Sequence, residues 1–197
     1  MSVRTKGALI TWTTGDRAAA PVVLLHDRYR DHDANDALGA RLAPTHRVVS
    51  VRGARTQMEM GLIKGYYWHL GPLAEPELST LGDALSHLEL LLIELNRETG
   101  RRIAIAGTGE GGSVALLIGL LVRALVVGVA SIDGPLAGNI GDMPITLPPA
   151  DGLPVLLATR DADLAPSAAA LAARGASVTT RPAGDDAVAD WIRGLPV

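Results

Sequence analysis

Residues 103–112 are the feature of the sequence that most restricts its possible folds. They read Ile-Ala-Ile-Ala-Gly-Thr-Gly-Glu-Gly-Gly. Residues 103–106 form a short apolar run that predicts a buried strand, and residues 107–112 predict a sharp turn. The almost wholly apolar residues 113–122 that follow are long enough for a buried helix. A strand, a glycine-rich turn and a helix in this order form the setting of two different motifs.

The first motif is the nucleophile elbow, G-x-S-x-G, which holds a serine at the tip of the turn with its hydroxyl above the sheet. The frame in this chain is Gly107-Thr108-Gly109-Glu110-Gly111. The flanking glycines fit the motif, but a glycine stands at the serine position. Because it has no side chain, Gly109 cannot act as a nucleophile.

The second motif is the dinucleotide-binding fingerprint G-x-G-x-x-G, which Gly107, Gly109 and Gly112 match literally. Its glycines let a pyrophosphate approach the backbone at the start of a helix. An acidic residue about 20 positions later should hold the ribose, and Asp133 lies near that place. The fingerprint normally opens its domain, whereas this match lies in a later strand–helix unit, so a dinucleotide is the less favoured interpretation.

Short apolar runs alternate with helical patterns along the rest of the chain. Strands are predicted at residues 21–25, 46–51, 125–130, 154–158 and 178–181, with a weaker edge strand at 8–13. Helices are predicted at residues 33–42, 80–98, 113–122, 166–174 and 187–193, and residues 52–76 are predicted to form a long polar–aromatic connection. This alternation is typical of a mostly parallel, doubly wound sheet with helices on both faces. We therefore predict an α/β fold in which residues 1–197 form a single domain.

Composition narrows the classes of partner. The net charge of −3 shows no basic excess, so nothing indicates a nucleic-acid-binding surface, and the absence of cysteine excludes disulfide and thiolate chemistry. The most membrane-like stretch, residues 114–132, is interrupted by Arg123 and is better explained as a helix followed by a buried parallel strand. The first 16 residues lack the apolar run of a signal peptide, so we expect a cytoplasmic protein without membrane contact.

The order of these pieces resembles the α/β-hydrolase fold, and more narrowly the small carboxylesterase/phospholipase group, over nearly the whole chain. Five segments carry the resemblance: residues 22–27, residues 52–54 with 65–68, residues 107–112, residues 154–166 and Gly184-Asp185. In order, they are similar to the strand before the oxyanion loop, the Gly-Tyr-x-Trp segment, the nucleophile elbow, the acid-bearing loop and the histidine-bearing loop of that group.

The resemblance implies a place for each member of the Ser, Asp and His triad. The serine position holds Gly109, and the acid position holds Asp161 or Asp163. The histidine position holds Asp185, or Asp186 if the loop is displaced by one residue, and no histidine follows residue 87. The resemblance therefore implies a degenerate triad and the loss of serine-hydrolase chemistry.

The end of the predicted strand at residues 21–25 supplies three pocket candidates, His26, Asp27 and Arg28, because α/β proteins bind ligands at strand ends. The alternative is a solvated, salt-bridged loop. Asp27 stands where the resembling group has a glycine, and a carboxylate beside an oxyanion hole would repel the charge that the hole must stabilise. The histidines and aspartates of residues 26–33 match no defined metal-ligand spacing, so no metal is expected.

Three further pocket candidates are Trp68, Thr108 and Glu110. Trp68 is either a core residue beneath a loop or a wall of the pocket. Glu110 opens a predicted helix, where the helix dipole favours an acid, and the alternative is a general base or carboxylate nucleophile. Thr108 precedes the tip of the turn, so its side chain is expected to point away from the place of a nucleophile.

The leading hypothesis is a non-hydrolytic protein that uses no cofactor. It would bind a small molecule or a protein partner in the pocket where the hydrolases that it resembles bind their substrate. The alternative is an enzyme of a specialised pathway, such as an isomerase, cyclase or lyase, whose acid–base groups are drawn from Asp27, Glu110, Asp161 and Asp185. Ester hydrolysis and dinucleotide binding are less favoured, and a homodimer is left open. The first two hypotheses differ in whether these carboxylates converge on one cavity above Gly109 or scatter over the surface.

Overall fold

The computed structural model describes residues 2–6, 8–144 and 146–196. The strands are β1 (Ser2–Lys6), β2 (Leu9–Thr14), β3 (Pro21–Leu25), β4 (Arg47–Arg52), β5 (Arg55–Glu59), β6 (Leu62–Tyr67), β7 (Ile103–Thr108), β8 (Val126–Ile132), β9 (Pro154–Thr159) and β10 (Ser177–Pro182). The helices are α1 (Asp36–Leu42), α2 (Leu78–Thr99), α3 (Glu110–Leu121), α4 (Ala165–Ala173) and α5 (Asp185–Arg193), with short 3-10 turns at His32–Asn35, Arg123–Leu125 and Ile140–Asp142.

Eight of the strands in the described ranges form one sheet in the order β1-β2-β4-β3-β7-β8-β9-β10. Every neighbouring pair from β4 to β10 is parallel, and only β1 and β2 run antiparallel to their neighbours. All residues of β3 and β8 are buried, as expected for parallel strands covered on both faces, which read as continuous apolar runs. The predicted mostly parallel α/β sheet is confirmed.

Helices cover both faces of this sheet. Residues of α2, α3 and α4 pack into one apolar cluster, and residues of α1 and α5 pack into a second cluster. The side of α2 that faces the first cluster carries seven buried residues, Leu81, Ala84, Leu85, Leu88, Leu91, Leu92 and Leu95. None of the helices in the described ranges has both the length and the apolar run that crossing a bilayer requires.

Two parts of the sequence prediction were wrong. The strand predicted at the sheet edge, β2, lies one place inward because β1 pairs antiparallel with it. The predicted connection at residues 52–76 contains the antiparallel hairpin β5–β6. Its turn was missed because Met60, with φ 50°, stands where two-residue hairpin turns favour Asn, Asp or Gly.

The sheet topology brings two distant chain segments together. β4 and β7 lie on opposite sides of β3, so the direction of strand order changes at β3. Open α/β sheets bind ligands beyond the carboxyl ends of the strands at such a point. The ends of β3 and β7 are therefore where a site is expected.

Candidate functional site

The turn after β7 has the geometry of a sharp elbow. Gly109 has φ 53° and ψ −116°, and α3 begins at the next residue. Its N–H donates a hydrogen bond of 2.7 Å to the carbonyl of Ile132 at the end of β8. Residues with a side chain rarely adopt a positive φ, so the backbone itself favours glycine here.

The space above Gly109 is filled by a side chain from the loop that follows β3. A Cβ atom on Gly109 would lie 2.0 Å from Oδ1 and 2.6 Å from Oδ2 of Asp27. Oδ1 of Asp27 accepts hydrogen bonds from the backbone N–H of Arg28 at 2.7 Å and from that of Glu110 at 2.9 Å. The Asp27 carboxylate thus occupies the place where a side chain at position 109 would begin.

These two N–H groups hold the positions of an oxyanion hole. In elbow-type hydrolases the hole is formed by the N–H of the residue after the nucleophile and by an N–H from the loop beyond a neighbouring strand. Here these are the N–H groups of Glu110 and Arg28. Asp27 was expected beside the hole, where it would repel an oxyanion, but the structure places its carboxylate inside the hole.

Glu110 lies beneath this hole and is fully buried. Its Oε1 accepts hydrogen bonds from Nε and Nη2 of Arg28 at 2.9 Å and 2.6 Å. Its Oε2 accepts one from the backbone N–H of Trp68 at 2.9 Å. Because both oxygens are engaged, Glu110 ties the start of α3 to the loop after β6. Glu110 is the first residue of α3, so the helix-dipole role expected from the sequence fits its position, whereas a fully buried carboxylate with both oxygens engaged is not placed to act as a general base or nucleophile.

His26 and Trp68 belong to the same buried network. Nε2 of His26 accepts a hydrogen bond of 2.9 Å from the backbone N–H of Gly53, so the ring proton is assigned to Nδ1, which donates to the carbonyl of Asp27 at 2.7 Å. Burial lowers the pKa of His26 and keeps the ring neutral. The Trp68 indole N–H donates to the carbonyl of His26 at 2.9 Å. His26 thus has no nitrogen left for a ligand, and the 1% exposed Trp68 is a core residue.

Two adjoining cavities lie at the carboxyl ends of the strands, with volumes of about 320 Å³ and 350 Å³. They share Ala34, Asn35, Thr108 and Arg160, and we call them together the strand-end groove. Thr108, one of the pocket candidates, lines this groove, and its Oγ1 donates to Oδ1 of Asn35 at 3.2 Å. The partner of its hydroxyl is therefore an amide and not a base.

The carboxylates proposed for acid–base chemistry separate in the structure. Asp27 lines one cavity of the groove and Asp185, the first residue of α5, lines the other. Asp161 is exposed in the loop after β9 and is not among the residues that line the groove. Oδ1 of Asp163 accepts a hydrogen bond of 3.0 Å from the N–H of Ala165, the first residue of α4. The four carboxylates therefore do not meet in one cavity above Gly109.

The glycines and the acid that match the dinucleotide fingerprint have other roles. A Cβ atom on Gly107 would lie 2.3 Å from the carbonyl oxygen of Gly111, so close packing of α3 against β7 requires the glycine. Both carboxylate oxygens of Asp133 accept hydrogen bonds of 2.7 Å from Arg160. The start of α3, where a pyrophosphate would bind, already holds the carboxylate of Asp27.

Sequence reasoning missed the two other polar residues that line both cavities of the groove, Asn35 and Arg160. Asn35 is buried, and its Nδ2 donates to the carbonyl of Leu25 at 3.0 Å, which fixes the 3-10 turn to the end of β3. Asn35 lies within the helix predicted at residues 33–42, and no feature of the sequence marks it as a site residue. Arg160 directly follows β9, so the rule that ligands bind beyond strand ends could have found it.

The fold matches solved structures, although no protein-family model and no curated protein matches the chain. A carboxylesterase from Mesorhizobium loti superposes with a TM-score of 0.78 at 19% identity over 98% of both chains. A Bacillus cereus carboxylesterase gives 0.72 at 17% identity, over 94% of this chain and 92% of that one. Arabidopsis thaliana SOBER1 gives 0.69 at 16% identity, over 89% and 98%.

These likenesses define the class of fold. The chain has the α/β-hydrolase fold in the compact form seen in small carboxylesterase-type structures. At these identities the likeness is one of fold alone. It does not determine the chemistry of the strand-end groove or of the turn at Gly109 that precedes α3.

Proposed function

We propose that this protein binds a small polar molecule in the strand-end groove and does not hydrolyse esters. The Asp27 carboxylate in the oxyanion hole is the observation that carries the proposal. An oxyanion hole accelerates acyl transfer by stabilising negative charge that develops on the substrate. Two N–H groups that already hold a carboxylate are not free for a substrate oxygen, and Gly109 supplies no nucleophile.

The second carboxylate oxygen of Asp27, Oδ2, favours a ligand that donates hydrogen bonds. Oδ2 of Asp27 accepts no hydrogen bond from the described residues, and this carboxylate lines the groove. The guanidinium of the adjacent Arg28 is turned away to the buried Glu110. A ligand with an ammonium, amide or hydroxyl donor would therefore find an accessible carboxylate oxygen, in a groove whose further polar groups include Thr108 and Asp185.

The test is a search for binding by thermal shift and calorimetry with low-mass amines, amino alcohols and polyols. A ligand at about 100 times its Kd stabilises the folded state by ~2.7 kcal/mol. We expect the Asp27→Asn variant to bind the same compounds at least about tenfold more weakly, since it replaces a charged acceptor. Asp161→Asn, which removes an exposed carboxylate outside the groove, is the matched control. Equal binding by wild type and Asp27→Asn would contradict the assignment of the groove.

An acid–base enzyme is the second candidate, favoured by one observation. Asp27, whose Oδ2 accepts no hydrogen bond from the part of the chain that the structure describes, and Asp185 line adjoining cavities of the same groove. A carboxylate held at a ligand can accept a proton from it, as in an isomerase, cyclase or lyase. Chemical conversion of a bound ligand by wild type, and its loss in both Asp27→Asn and Asp185→Asn, would favour this function over simple binding.

A further inference from the structure

A further cavity, with a volume of about 700 Å³, lies outside the strand-end groove. It opens between α2, the last turn of α3 and residues 142–144, and we call it the α2–α3 pocket. Among the described residues, the pocket and the groove have no lining residue in common. Small-molecule pockets have volumes of ~300–1,000 Å³, so the α2–α3 pocket has the size of a ligand site.

The walls of this pocket are mainly apolar. Leu85 of α2 and Ile118 of α3 line it and are only 4% and 1% exposed, so the pocket reaches the apolar cluster beneath the two helices. The remaining apolar side chains around it are half-buried or exposed, and they belong to Leu78, Leu121, Met143 and Pro144. An apolar ligand would lose its contact with water here, which is the main source of affinity for such molecules.

Gly82, in the second turn of α2, keeps the pocket open beside this helix. Residues 78, 82, 85 and 89 all line the pocket, and their spacing of three and four places them on one face of α2. Glycine inside a helix is less favourable than alanine because it loses more backbone entropy on folding. Gly82 has no positive φ, and a Cβ atom there would meet no described residue within 4 Å outside its own stretch of helix. Packing within the described chain therefore does not require this glycine, whereas a ligand that approaches the backbone of α2 would.

The charges around the pocket have one sign. Its charged residues, among those that the structure describes, are Asp83, Glu89 and Asp142. Asp83 pairs with Arg55 at 2.8 Å. Glu89 and Asp142 are exposed, and neither pairs with a cation in the described ranges. Two uncompensated carboxylates beside apolar walls favour a ligand that is both apolar and cationic.

We propose that the α2–α3 pocket binds a small apolar molecule that carries an ammonium group, such as an alkylamine or an arylalkylamine. The apolar body would lie against Leu85 and Ile118, in the space that Gly82 leaves open. The ammonium group would lie at the carboxylates of Glu89 and Asp142. The proposal does not depend on the function proposed for the strand-end groove, because the two cavities are lined by different residues.

The test compares three molecules that have the same eight-carbon chain and differ in charge: octylamine, octanol and octanoate. Each is titrated into the 15N-labelled full chain, and the backbone amide shifts in NMR spectra locate the site and give Kd. We expect octylamine to shift the amides of Gly82, Leu85 and Ile118. Its Kd should be about threefold lower than that of octanol and about tenfold lower than that of octanoate, as expected for exposed ion pairs and like charges.

Variants on α2 test the shape of the pocket and its charge separately. Gly82→Trp fills the pocket, so it should raise the Kd of octylamine at least about tenfold while the Tm does not fall, because tryptophan has a higher helix propensity than glycine. Leu90→Trp is the matched control, since Leu90 is 53% exposed on the same helix outside the pocket. Glu89→Gln should weaken the binding of octylamine about threefold and leave octanol unchanged, and Glu75→Gln, at an exposed residue outside the pocket, should change neither.

Asp27→Asn distinguishes this site from the strand-end groove, because it should leave the shifts of the pocket amides unchanged. Shifts confined to the amides around Asn35 and Thr108 would overturn the proposal and support binding in the groove alone. Octanol or octanoate binding as tightly as octylamine would refute the role of the carboxylates. The proposal would also be wrong if no pocket amide shifts, or if Gly82→Trp binds octylamine as the wild type does.

Discussion

Replacing Gly109 with serine should destabilise this protein by about 3–5 kcal/mol, because the substitution forces Asp27 out of its place. A side chain at the positive φ of residue 109 costs ~1–3 kcal/mol. Its Cβ would lie 2.0 Å from Oδ1 of Asp27, so that oxygen must leave its two N–H donors. Each hydrogen bond to a charged group contributes ~1.5–3 kcal/mol, part of which water restores. The sum corresponds to a fall in Tm of about 6–20 °C for a chain of this length.

A double-mutant cycle with Asp27→Gly isolates this conflict. In the Asp27→Gly background the carboxylate is gone, so Gly109→Ser should cost only the backbone contribution of ~1–3 kcal/mol. Gly152→Ser is the matched control, since Gly152 has φ 74° and open space around its Cβ position. Urea and thermal unfolding of the wild type, these variants and the double variant measure the coupling. If Gly109→Ser costs no more than Gly152→Ser, or if the cycle is additive, the carboxylate does not fill the elbow.

Further predictions concern the buried network and acid stability. Arg28→Met leaves the fully buried carboxylate of Glu110 without its cationic partner and should cost ~3–5 kcal/mol in urea unfolding. Glu110→Gln should cost less, because the Arg28 side chain is 26% exposed and is solvated in part, and the double variant should cost less than the sum of the two. Burial lowers the pKa of His26 below its unfolded value of 6.5, so unfolding stability should rise with pH in the window just below 6.5, and His26→Asn should flatten that slope. Hydrogen bonds from Ser79 above all lower the pKa of Glu77, which caps α2, to about 2 from 4.5. Its contribution is present above pH 4.5 and lost as the pH falls towards 2, so Glu77→Gln should lose less stability over that interval.

Much of the fold could be predicted because its central strands are buried on both faces. The continuous apolar residues of β3, β7 and β8 identify a parallel sheet without further information. The hairpin β5–β6 could not be found in this way, because its side chains are mostly exposed and its turn carries Met60. The hydrophobic pattern of a sequence identifies the residues that are buried in the core, and the hairpin lies outside the core.

The site was predicted in its parts but not in its arrangement. The sequence marks Gly109 and Asp27 as separate departures from a hydrolase pattern, whereas the structure joins them in one contact. The pairing depends on β3 and β7 being neighbours in the sheet, although the hydrogen bond from Glu110 to Asp27 spans 83 residues of sequence. The burial of Glu110 could not be predicted either, because glutamate is rarely fully buried unless it is paired, and its partner Arg28 lies 82 residues away in the sequence.

The proposed absence of ester hydrolysis rests on the Asp27 carboxylate in the oxyanion hole and on the missing side chain at Gly109. The most direct test is the hydrolysis of p-nitrophenyl acetate by wild type, by Gly109→Ser, and by the triple variant Gly109→Ser with Asp27→Gly and Asp185→His. We expect no turnover above background from the first two. Wild type has no nucleophile and a carboxylate in its oxyanion hole, and the serine of Gly109→Ser has no base to take its proton and keeps the displaced Asp27 carboxylate beside the hole. The triple variant supplies the nucleophile and a histidine and removes this carboxylate, so it should show measurable turnover. Robust turnover by wild type or by Gly109→Ser alone would contradict the proposal, since it would require a nucleophile or a base that the described residues do not provide.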